Sequence, residues 1–139
     1  VKRRAVIDSG PLVAVFNAKD AFHPSALAFF KSFKGNLYST IAVLTEVNYL
    51  LDFDIQAQLA MLDWVLSGGL EVIELDHSDL KAIRHLTQKH ADLPADFADT
   101  SLIAVAERMN IEYVVSIDSD FYAYRTLSSR YLTNLMETG

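Results

Sequence analysis

Pro94-Ala95-Asp96-Phe97-Ala98-Asp99-Thr100-Ser101-Leu102-Ile103-Ala104-Val105-Ala106-Glu107-Arg108 is the stretch around which the chain is organised. Leu102, Ile103, Ala106 and Met109 recur at helical spacing and mark the buried side of an amphipathic helix. Asp99 precedes the first three of these by three, four and seven residues, so a carboxylate heads the apolar stripe. Asp96 lies one turn earlier on the same side. An ionised carboxylate is costly to bury unless something positive meets it. The candidates are an arginine, the helix's own N-terminal amides, or a divalent cation.

Outward from this helix, short apolar runs alternate with amphipathic segments. Ala5-Val6-Ile7 reads as a central parallel strand, ending in Asp8-Ser9-Gly10-Pro11. There Ser9 or Gly10 can cap a helix and Pro11 suits its first position, with the helix running from Leu12 to Phe16. Helices are expected over Phe22–Phe33, from Thr40 onward, over Ile55–Leu66 with Gly68-Gly69 as its stop, and from Asp76 to about Lys89. Strands are expected at Leu37–Ser39, Leu70–Leu75, Glu112–Ser116 and near Tyr131–Leu135. In the helix after Thr40, Glu46 lines up with the apolar side made by Ala42, Val43, Val47 and Leu50. The alternation predicts an α/β fold, one domain over residues 1–139, with a mostly parallel central sheet flanked by helices.

Composition narrows the function classes. The 139 residues are 51% apolar and 22% charged, which is globular and not disordered. No apolar run approaches a membrane span, and the acid at position 8 behind Lys2-Arg3-Arg4 argues against a signal peptide. The chain has no cysteine, hence no thiolate metal site, and a cytoplasmic location is expected. A net charge of −6 excludes a protein that grips nucleic acid with its whole surface. It leaves room for a local basic rim, which Lys2, Arg3, Arg4, Lys31 and Lys34 could form, with an ordinary solvated surface as the default reading.

In open parallel sheets, ligands bind outside the carboxyl ends of the strands, where strand order reverses. Asp8 and Asp118 each follow a strand, Asp96 and Asp99 open a helix, and Glu46 sits about two turns into its own. All are thus directed to one rim, and no Lys or Arg accompanies them in sequence. Clustered acids repel unless protonated or bridged by cations, and oxygen-only ligands select Mg²⁺ or Mn²⁺ over zinc. Such a site suits phosphodiester hydrolysis. Each acid also has a structural alternative. Asp8 or Asp96 can cap a helix, Asp99 can answer a helix dipole, Glu46 can be solvated, and Asp118 with Asp120 can form an Asx turn. The histidines (His23, His77, His85, His90) have no ligand spacing, and the Phe22, Phe29, Phe30, Phe33 and Trp64 pattern reads as packing or a dimer face.

Taken together, Val6-Ile7-Asp8-Ser9-Gly10-Pro11-Leu12, Thr45-Glu46-Val47, Asp96-Phe97-Ala98-Asp99-Thr100-Ser101-Leu102 and Ser116-Ile117-Asp118-Ser119-Asp120-Phe121 resemble the PIN-domain ribonucleases, and among them the VapC toxins of toxin–antitoxin pairs. Each motif is weak alone; the ordered set over the whole chain is specific. The resemblance implies an endoribonuclease dependent on Mg²⁺ or Mn²⁺, in which Asp8, Glu46, Asp99 and Asp118 hold one or two ions. It implies that Asp96 is an auxiliary acid, that Ser9 supports the site by hydrogen bonding, and that Ser116 keeps the hydroxyl that many relatives supply with Thr. It further implies an RNA substrate, a homodimer and a cognate antitoxin. The tail from Tyr124-Arg125 matches loosely, and no RNA-contacting residue is assigned. Three other functions compete. A non-catalytic PIN-like binding module is opposed by the intact acids. A phosphoryl-acceptor domain wants a Lys after the last strand and this chain has none after Lys89, and a haloacid-type phosphatase wants a second aspartate two residues after Asp8, where this chain has Gly10.

Overall fold

The computed structural model describes residues 2–92, 95–117 and 131–136. In chain order it contains β1 (Arg3–Ile7), α1 (Ser9–Phe16), α2 (His23–Ser32), β2 (Gly35–Ser39), α3 (Ile41–Leu50), α4 (Ile55–Leu66), β3 (Glu71–Val72), α5 (His77–Lys89), α6 (Phe97–Arg108), β4 (Tyr113–Val115) and β5 (Thr133–Asn134). The five strands form one sheet in the order β3-β2-β1-β4-β5, and every pairing is parallel. The α/β expectation is met, and the strand order reverses at β1, between β2 on one side and β4 on the other.

Ala5, Val6 and Ile7 are fully buried, as a continuous apolar run in a central strand requires when both faces of the sheet are covered. Val6 pairs with Tyr38 of β2 and with Val114 of β4, which sets the register on both sides. Helix α6 runs beside β1 and packs against α3 and α5; its residues 98–106 are all buried. The stripe inferred from sequence is therefore wider than a single face, and α6 is the central helix of the fold.

Most element ends follow their residues. Thr40 caps α3 through its hydroxyl, which accepts from Val43 N at 3.3 Å. Gly68 ends α4 with φ +96°, a left-handed position suited to glycine; its N–H and that of Gly69 bond Val65 O and Trp64 O. Phe29, Phe30, Phe33 and Trp64 of the aromatic pattern pack against the core, with Phe30 and also Phe16 against Trp64 at 5.5 and 5.8 Å between ring centroids, whereas Phe22 is exposed. Two expectations are corrected. The residue that caps α1 is Asp8 and not Ser9 or Gly10; Ser9 is already helical, so Pro11 stands third in the helix. The strand expected over Leu70–Leu75 shrinks to Glu71–Val72, because its partner β2 ends at Ser39, whose carbonyl accepts the last bond, from Ile73 N at 2.8 Å.

The basic N-terminus also lands away from the acids. Lys2, Arg3 and Arg4 surround the starts of β1 and β4, the end of the parallel sheet opposite the strand ends where Asp8 emerges. Arg4 donates to Met109 O and Asn110 O at the C-terminus of α6, where a cation complements the helix dipole. Arg3 lies over the Tyr113 ring at 5.2 Å. These residues hold the floor of the sheet and do not rim the acidic end.

Candidate metal centre

Asp8 stands where β1 hands over to α1, at the point of strand reversal. Its backbone N–H bonds Val115 O at 3.0 Å, so the β1–β4 ladder itself fixes its position. Its carboxylate accepts from Ser9 N at 2.8 Å through Oδ1 and from Ser116 Oγ at 3.2 Å through Oδ2. Ser116 follows β4 directly, and its hydroxyl is thus aimed back across the crevice. Ser9 turns the other way: its hydroxyl donates to Glu46 Oε1 at 2.6 Å, tying the first turn of α1 to the second turn of α3. Helix α3 is in turn tied to α6 by a buried hydroxyl pair, Thr40 Oγ1 and Ser101 Oγ, 2.8 Å apart.

On α6, Asp96 is the N-cap and Asp99 the third helical residue. Asp96 Oδ1 accepts from Asp99 N at 2.8 Å, and Asp99 Oδ2 accepts from Asp96 N at 3.4 Å, forming a reciprocal capping box. The capping alternative for Asp96 is thus realised, as is that for Asp8. Neither cap removes the charge problem. Burial pushes the Asp8 carboxyl up from 3.8 to about 6, and the nearby Glu46 and Asp96 charges push the same way, against the pull of its hydrogen bonds to Ser9 and Ser116. Burial also pushes Asp99 up, to about 8, reinforced by the charges of Asp8 and Asp96.

A second helix in the same fold supplies a built-in comparison. Helix α5 begins with the same device: Asp76 caps, Asp79 is third, and the two form a reciprocal box. Asp79 is also buried, and it is met by Arg108, whose Nε and Nη2 donate to its two oxygens at 2.8 and 3.1 Å. Asp99 has the same helical position and similar burial. Among the described residues, no ion pair reaches it, or Asp8, Glu46 or Asp96. Of the three counter-charges considered from sequence, the arginine went to the other helix.

The structure thus brings Asp8, Ser9, Glu46, Asp96, Asp99 and Ser116 to one end of the sheet. Asp118 lies outside the described residues, as do Asp120 and Arg125. Among the described residues, no group of three or more acids or histidines is close enough to enclose an ion. The donor set present is all oxygen, and two of its members are held above the ordinary carboxylate range by burial and mutual repulsion. That combination fits a hard divalent cation, which relieves both burdens at once. Sequence reasoning missed the Arg108–Asp79 pair, since only the packing of α5 on α6 joins them. It also missed Asn134, described below.

A profile of the PIN domain matches residues 5–127, and the chain belongs to that family. This membership sets aside the phosphoryl-acceptor and phosphatase readings. Ribonuclease VapC26 of Mycobacterium tuberculosis is 23% identical over 115 residues, 81% of this chain and 85% of that protein. The crystal structure of M. tuberculosis VapC20, a toxin that cleaves the sarcin–ricin loop, superposes with a TM-score of 0.79 at 23% identity, covering 86% of this chain and 93% of that one. VapBC2 from Rickettsia felis, crystallised on a fragment of its promoter DNA, matches at 0.63 and 18% identity over 94% and 96%.

Proposed function

We propose that this protein is an endoribonuclease of the VapC kind, the toxin of a toxin–antitoxin pair, hydrolysing RNA phosphodiester bonds with Mg²⁺ or Mn²⁺. The observation that carries this reading is the contrast between Asp79, neutralised by Arg108, and Asp99, buried at the same helical position beside Asp8 with no cationic side chain paired to it among the described residues. In this reading Asp8, Glu46 and Asp99, with Asp118, hold one or two ions, and Asp96, Ser9 and Ser116 orient them. A divalent ion bound there supplies Lewis acidity toward a phosphodiester and acidifies water.

The chain's own contributions are positional. Ser9 N and Ser116 Oγ restrict the rotation of the Asp8 carboxylate, and Ser9 Oγ holds Glu46 toward it. Asp96 keeps the first turn of α6 wound, so that the Asp99 backbone cannot drift from the pocket. A pocket of acids repels a polyanion, so the same ion count that quiets the acids also admits RNA. The partners proposed are RNA, a cognate antitoxin and a second copy of the chain. In support, Tyr49, Leu50, Phe53, Ile55, Leu59, Leu62 and Leu66 on and between α3 and α4 are all exposed, an apolar surface that favours a partner chain. No helix of the described residues is long and apolar enough to cross a membrane, and a cytoplasmic setting is proposed.

The test is cleavage of RNA by the purified protein with and without added Mg²⁺ or Mn²⁺. Activity should require the ion and disappear in Asp8→Asn and Asp99→Asn; variants that cut as well as the parent refute the assignment.

A further inference from the structure

The hydroxyl of Ser116 is useful to Asp8 only if the backbone just past β4 is held still. Strand β4 ends at Val115, and its outer neighbour β5 pairs with it at two residues alone, Tyr113 with Thr133 and Val114 with Asn134. Beyond that point a side chain takes over the ladder. Asn134 Oδ1 accepts from Ser116 N at 3.1 Å, and Asn134 Nδ2 donates to Ser116 O at 2.8 Å. One primary amide thus grips both backbone groups of the residue that donates to Asp8. Pairing with an N–H and a C=O fixes which way round the amide sits. Asn134 Oδ1 also accepts from Met136 N at 3.0 Å, which folds the chain after β5 around the same amide. Asn134 is 8% exposed and Ser116 fully buried, so water does not compete for these bonds.

We infer that Asn134 is a positioning residue of the metal centre: its amide clamps the Ser116 backbone, and through Ser116 Oγ it fixes the orientation of the Asp8 carboxylate. This rests on the metal-centre reading above and extends it to β5, which carries no acid of the site. The bidentate grip has the geometry of a strand continuation but is made by a side chain, so one substitution removes it and leaves the β4–β5 backbone bonds, such as Leu135 N to Val114 O at 2.9 Å, in place. Outer partners that orient a ligand are worth about 10–100-fold in metal affinity when lost.

The test is Mn²⁺ affinity of the full chain, read from the electron paramagnetic resonance signal of free Mn²⁺, alongside kcat and KM for RNA cleavage. The variants are Asn134→Ala, Asn134→Asp, Ser116→Ala and the double variant Asn134→Ala with Ser116→Ala. Asn134→Asp keeps the acceptor for Ser116 N and Met136 N but replaces the donor to Ser116 O with an oxygen that repels it, so it opens the grip on one side only. Asn134→Ala and Asn134→Asp should weaken Mn²⁺ binding about tenfold and lower kcat with KM little changed. The double variant should bind Mn²⁺ no more weakly than Ser116→Ala, because the two residues act in series. If both Asn134 variants bind Mn²⁺ as the parent does while Asp8→Asn does not, Asn134 has no such role. Strictly additive losses in the double variant overturn it as well. If Asp8→Asn itself binds Mn²⁺ normally, the metal-centre reading fails first, and the inference with it.

Discussion

Removing the charge of Asp8 should make the metal-free protein more stable while abolishing its activity. The Asp8 carboxyl is 5% exposed and raised from 3.8 to about 6 in the folded chain. A folded pKa above the unfolded one means that the native state binds the extra proton between those two values. Stability from this group is therefore full below about pH 4 and falls as pH rises, reaching its minimum above about pH 6. A rise of roughly two pH units at about 1.36 kcal/mol each amounts to about 3 kcal/mol. Asparagine keeps an acceptor for Ser9 N, as a helix cap requires, and a rotated Ser116 hydroxyl can accept from its amide. The pull of these bonds on the charged form is already contained in that rise, and ionisation of the unfolded chain at pH 4 takes up part of the total. Asp8→Asn should thus exceed the parent by about 2 kcal/mol at pH 7.5 in EDTA and match it near pH 4. The assay is urea unfolding followed by circular dichroism at both pH values. With Mn²⁺ at 100 times its Kd the parent should gain about 2.7 kcal/mol and the variant little, reversing the order. A variant less stable than the parent at pH 7.5 in EDTA, by as much as at pH 4, refutes the claim that repulsion and burial dominate at this position.

Other outcomes follow from the same packing. Arg108→Ala should cost about 3 kcal/mol in urea unfolding, because it strands the buried Asp79; Asp79→Asn in the same background should recover part of the loss. Ser9→Ala should weaken Mn²⁺ binding about tenfold by freeing Glu46, with a melting temperature close to that of the parent. Gly35→Ala should destabilise by about 2 kcal/mol or more, since a Cβ there runs into Arg3 O of the paired strand; an unchanged melting temperature would contradict the β1–β2 register.

Much of the fold was legible because its devices are local. The Ile55–Leu66 helix is bounded as expected, since Asp54 caps it and Gly68 stops it within a few residues of the apolar pattern. Asp96 and Asp99 were legible for the same reason: an acid at the head of an apolar stripe contradicts its surroundings, and that contradiction is visible in one helix. What could not be read depends on which helix lies beside which. The same Asp-x-x-Asp opening occurs at Asp76 and Asp96, and only the packing of α5 on α6 decides which buried acid receives Arg108. The role of Asn134 was silent in sequence, because a single asparagine in a short terminal strand has no pattern to break. The basic N-terminus does not rim the acids because parallel strands share one direction, so the residues that open β1 lie a strand's length from those that follow it.

The placement of β1 has a consequence for how the protein is made. This first strand sits between partners drawn from both halves of the chain, and the hydroxyl that steadies Asp8 lies 108 residues further on. Asp8 thus emerges in synthesis 108 residues before the serine that steadies it. N-terminal fragments cut before β4 are therefore expected to be inactive, and the acidic centre to arise late and all at once.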